Sequence, residues 1–141
     1  MYDFDYCIWL CPDKNSVWNT YTKGFPVHIT IYKYLDKKDA ITLFTELKQH
    51  TNNLNIKVKL TGELEDTATD DFNAIEHEVE VVNMSPPKWW PIDAHVSFAY
   101  QYNQEFSRNE IKDIEKTLKQ KEETFTHFRL VKCNGHYKDW K

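Results

Sequence analysis

Two stretches decide how this chain folds: "VHITIYKY", residues 27–34, and "AHVSFAY", residues 94–100. Each alternates large apolar residues with others, which is the period of a β-strand. In the first, His28, Thr30 and Tyr32 share one face, and Val27, Ile29 and Ile31 share the other. In the second, His95, Ser97 and Ala99 stand opposite Val96, Phe98 and Tyr100. Each strand thus gives one face to a core and sets an imidazole and a hydroxyl two residues apart on the reverse.

The surroundings of the two stretches are also alike. Asp36 reads as the N-cap of a helix over 37–50, with Ile41, Phe44, Leu47 and Lys48 at helical spacing. Ser107 and Glu110 form a capping box ahead of a second helix that carries Ile111, Ile114 and Leu118. Strands are predicted over 2–10 (Phe4, Tyr6, Ile8 and Leu10 alternating) and around 54–60 (Leu54, Ile56, Val58, Leu60). Two more follow at 73–82, where Ile75, His77, Val79 and Val81 oppose acids, and at 124–133. "DTATDD" and "NMSPPKWWP" read as loops, and "NGHYKDWK" at the end as a short edge strand. The order is β, β, α, β, β, β, α, β. Each H-x-[ST] strand leads to a capped helix and a further strand, a duplicated βαβ-type unit. The class is α+β, with antiparallel sheet and helices packed on one side.

Bulk properties narrow the function. The 141 residues fit a single domain spanning 1–141, with 40 % hydrophobic and 15 % aromatic residues. A net charge of −4 lacks the basic stripe of a protein that grips long nucleic acid, so a small ligand is the better expectation. Cys7, Cys11 and Cys133 are too few and odd in number for a secreted disulfide framework. The start has no basic leader, and no apolar run approaches the ~20 residues of a membrane span. A cytoplasmic monomer with no membrane partner is expected.

Two facing imidazoles suit phosphodiester cleavage. One takes a proton from the attacking oxygen and the other gives one to the leaving oxygen. The nearby hydroxyls can donate hydrogen bonds to non-bridging phosphate oxygens. This chemistry calls for no metal and no cofactor. One H-x-[ST] triplet alone carries little weight; two, each in an apolar strand followed by a capped helix, point to a shared site.

"HIT" at 28–30 and "HVS" at 95–97 resemble the paired H-x-[ST] signatures of the 2H phosphoesterase superfamily. His95 follows His28 by 67 residues, the spacing of a compact member. The resemblance implies a bilobal, pseudo-two-fold fold with a central cleft. It implies that His28 and His95 are the acid–base pair and that Thr30 and Ser97 bind the phosphate; which histidine is acid and which base is left open. It also implies a nucleotide or short-oligonucleotide substrate: 2′,5′-linked, cyclic, or a 2′,3′-cyclic phosphate. A lysine-, asparagine- and aromatic-rich composition suggests a viral chain acting on nucleotide immune signals in the host cytoplasm.

Around these four residues, Tyr32 shares the face of His28. Trp89 and Trp90, in the loop before the second motif, are candidates to stack a base, as are Tyr137 and Trp140 near the end. Lys23, Lys33, Lys88, Arg129 and Lys132 are the cations considered for phosphate, with Lys33 pointing away by parity. The acids of "GELEDTATDD" and "EHEVE" read as a solvated face. Cys7, Cys11, Cys133 and His136 have zinc-ligand spacing, but buried free cysteines explain them more simply. His50, His77, His127 and His136 read as structural. Two other functions fit the same elements: a nucleotide- or protein-binding module without turnover, and an RNA end-processing or ligase-like enzyme.

Overall fold

The computed structural model describes residues 6–22, 25–50, 54–68, 73–101 and 105–132. Along them run β1 (Tyr6–Pro12), β2 (Ile29–Leu35), α1 (Lys37–His50), β3 (Ile56–Ala68), β4 (Asn73–Val81), β5 (His95–Gln101), α2 (Arg108–Thr117) and β6 (Glu122–Lys132). This is the expected α+β order. The strand expected over 134–141 lies outside the described residues, as do residues 2–5 of the first strand.

Both helices start where capping chemistry permits. The Asp39 backbone N–H donates to Asp36 Oδ1 at 2.7 Å ahead of α1. At α2, the Glu110 N–H donates to Ser107 Oγ at 3.1 Å and the Ser107 N–H donates to Glu110 Oε1 at 3.0 Å, a reciprocal box. The buried stripe of α1 differs from the expected one. Ala40 is buried and Leu43, Phe44 and Leu47 pack on the core, whereas Ile41 is 46 % exposed. The helix is rotated so that the longer row, 40–43–44–47, meets the sheet.

Two strands also depart from simple alternation. "DTATDD" is not a loop throughout: β3 continues to Ala68, with Asp66 opposite Ile75. The β3–β4 register shifts between Thr61 and Glu65, and Gly62 adopts φ 73° there, a conformation glycine takes without strain. In β6, Phe125 and Phe128 both reach the main core because the register with β1 shifts between Cys11 and Pro12, whereas Val131 is buried on the opposite face beside Cys7.

All strand pairs are antiparallel, and the strands close in the order β1-β2-β5-β4-β3-β6. The order is symmetric. β1, β2, α1 and β3 form one half; β4, β5, α2 and β6 form the other. The halves meet at the β2–β5 and β3–β6 seams, and each half sends its last strand to the first strand of the other. The main core unites Ile8, Leu10, Ile29, Ile56, Val58, Val96, Phe98 and Phe125 with Phe44 and Leu47 of α1 and with Ile114 and Leu118 after the second cap. Each such side chain contributes roughly 1.5–3 kcal/mol on burial. The reverse side of β1 carries a separate small cluster of Cys7, Trp9, Cys11 and Val131. That reverse side is where both histidines stand.

Candidate active site

The β2–β5 seam is fixed by one registered pair, Ile29 opposite Val96. One step either way along this antiparallel register sets His28 opposite Ser97 and Thr30 opposite His95. Directly opposed residues point to the same side of a sheet. Ile29 and Val96 are wholly buried in the core, so the four polar residues face the other way. His28 and His95 are then diagonal neighbours, roughly 7–8 Å apart in such a ladder, which leaves room for one phosphate.

The two rings are anchored alike. His28 Nδ1 lies 2.8 Å from the Pro26 carbonyl, and His95 Nδ1 lies 3.0 Å from the Asp93 carbonyl. A carbonyl only accepts, so each Nδ1 carries the hydrogen and Nε2 is the ring nitrogen turned away from the backbone.

Their neighbours differ. Trp9, opposite Thr30 on β1, stacks on His28 with ring centroids 3.5 Å apart and planes 8° apart. Phe25 closes the edge at 6.3 Å. His28 is 4 % exposed. Burial pushes its pKa down from 6.5 to about 4; the Pro26 carbonyl opposes this, and the charges of His95 and Arg129 reinforce it. His28 is therefore a neutral imidazole at neutral pH. His95 keeps 35 % of its side chain exposed, and Glu76 Oε1 lies 3.4 Å from its Nε2, an ion pair when the ring is protonated. Glu76 stands opposite Ser97 on β4, as Trp9 stands opposite Thr30 on β1. Beyond Trp9 lies Arg129 on β6, and beyond Glu76 lies Glu65 on β3.

Register thus brings together His28, Thr30, His95 and Ser97. Tyr32 lies opposite Ile8 at an irregularity of the β1–β2 register and is half-buried against the main core. Trp89 and Trp90 also pack on that core, with Trp89 edge-on to Phe128 at 5.1 Å. Tyr137 and Trp140 lie outside the described residues, as do Cys133 and His136. Lys33 is exposed beside the Tyr34 ring. Burial pushes the Cys11 thiol up to about 12, against a lowering by Arg129, so it is no nucleophile at neutral pH. Among the described residues, no three His, Cys, Asp or Glu side chains are grouped to hold a metal ion. His77 is buried with its Nδ1 3.0 Å from the Glu78 carbonyl, and His127 Nδ1 lies 3.0 Å from Thr126 Oγ1.

Trp9 and Glu76 are the residues that sequence reasoning missed. By sequence alone Glu76 belongs to a solvated acidic face. Parity already set it on the opposite side from Ile75 and His77; only the pairing of β4 with β5 makes that the side of His95. Trp9 carried the same signal, being out of phase with Ile8 and Leu10.

Comparison with family models, with curated proteins and with solved structures finds no match to the chain. No helix among the described residues is long and apolar enough to cross a membrane.

Proposed function

We propose that this chain is a phosphodiesterase of the 2H type, cleaving a small nucleotide or short oligonucleotide by acid–base catalysis between two histidines. The observation that carries the reading is the Ile29–Val96 register, which sets each histidine across from the other motif's hydroxyl. The two-lobed, pseudo-two-fold 2H architecture belongs to the same proposal, supported by the symmetric strand order. So do a cytoplasmic setting and a monomeric state.

Environment assigns the roles. His28, buried and neutral under Trp9, is the base. Its Nε2 takes the proton from the attacking hydroxyl, either a ribose hydroxyl next to the phosphate or water. That oxygen bonds to phosphorus while the bond to the leaving oxygen breaks. His95 is the acid: its Nε2 gives a proton to the leaving oxygen, and the Glu76 carboxylate holds the charged ring until then. Thr30 and Ser97 donate to the non-bridging oxygens. The bound phosphate anion also raises the basicity of His28 as the complex forms.

The leaving group tests this. A 2′,5′-linked dinucleotide needs its alkoxide protonated; uridine 3′-(p-nitrophenyl phosphate) releases a stable phenolate. Both are assayed in EDTA. His28→Ala should lose roughly 10²–10⁴-fold on both substrates. His95→Ala should lose as much on the dinucleotide only. No turnover by wild type, or equal activity in both variants, would sink the reading.

A further inference from the structure

The charges beside the two histidines are not alike, and they run in one direction across the sheet. On the His28 side, exposed Arg129 stands opposite Trp9, near enough to act electrostatically on both His28 and Cys11. On the His95 side, Glu76 lies 3.4 Å from the ring, exposed Glu78 stands opposite His95, and exposed Glu65 stands opposite Glu76. The lysines of β3 lie further along the strand: Lys59 opposes Glu80, and Lys57 is paired with Glu122 at 3.1 Å.

From this polarity we infer the substrate class. The His28 end holds the nucleophile side of the diester together with any further phosphate, and the His95 end accepts only an uncharged alcohol. The inference rests on the acid and base roles proposed above. A guanidinium matches the oxygens of a terminal phosphate and binds them in pairs. Three carboxylates repel the same group at the other end, the half-buried Glu76 most strongly because it is partly shielded from water. The chain would therefore take an oligonucleotide whose phosphates lie on the nucleophile side and release its last, phosphate-free nucleoside. In that step the attacking ribose hydroxyl loses its proton to His28, a cyclic phosphate forms, and the leaving nucleoside departs with the proton from His95.

Two probes of equal charge test it: the 2′,5′-linked diadenosine monophosphate carrying its extra phosphate either on the nucleophile-side adenosine or on the leaving adenosine. Wild type should show kcat/KM at least about tenfold higher for the first, since a single charge–charge contact near a protein surface is worth that much. Arg129→Ala should erase the advantage, and Glu78→Gln should raise the second probe. Equal or reversed rates overturn the polarity and leave the phosphodiesterase reading intact. If wild type cleaves neither, that reading fails instead, and calorimetric binding of both probes to His28→Ala still decides: tighter binding of the first supports the polarity, and equal or reversed affinity overturns it.

Discussion

The β1–β2 pair and the β4–β5 pair carry out one plan twice. Each has a histidine tied through Nδ1 to the carbonyl two residues earlier, and a hydroxyl two residues later. They differ at the residue across from that hydroxyl, which is Trp9 in one and Glu76 in the other. Two equivalent imidazoles would favour the same protonation state, and acid–base catalysis needs opposite ones. An aromatic lid excludes water and disfavours charge; a carboxylate offers charge a partner. In the proposed mechanism, a single strand position thus makes unlike reagents from a repeated scaffold.

The largest way to break this comparison is to remove the lid. Trp9→Leu should cost roughly 2 kcal/mol of stability, because an almost fully buried ring leaves a space its neighbours fill only in part. It should also move the acidic limb of kcat/KM from near pH 4 toward 6.5, since a base fails once protonated. Folding carries the same signature. Below pH 6.5 the unfolded chain protonates at His28 while the folded chain resists until about 4, so wild type should lose about 3 kcal/mol over that window. Urea unfolding across pH measures this, and Trp9→Leu should flatten the slope. An unchanged slope would separate the tryptophan from the charge state of His28.

A smaller effect is expected on the other side. Glu76→Gln should slow the dinucleotide by about tenfold through loss of the partner that positions His95, the proposed acid, with little change on the p-nitrophenyl ester. Equal loss on both substrates would make Glu76 a structural residue. The smallest effect lies away from the site: Ser107→Ala removes one capping hydrogen bond and should cost about 1 kcal/mol, with no change in either pH limb.

Local rules in the sequence go far toward the fold. Asp36 and the Ser107–Glu110 box locate the helices, and period two locates the strands. His28 and His95 stand out because each imidazole interrupts an apolar run together with a hydroxyl. Glu76 and Trp9 were harder to see, because alternation gives the face of a residue but not the strand lying beside it. The same gap explains β3, where a bulge at Gly62 and pairing with β4 keep polar residues in register past Glu65. It explains Ile41 too, since helical spacing admits two neighbouring stripes and the sheet selects one.

Among the described strands, the first is completed by the last. Tyr6 pairs with Lys132 and Cys11 with His127, across nearly the full length of the described sequence. On a ribosome, β1 emerges well before β6 and waits with one hydrogen-bonding edge open until β6 has been made. Contacts so distant in sequence form late and slow folding. The partly made chain therefore exposes a sticky edge during synthesis, and Trp9 gains its β6 neighbour only once that strand has emerged.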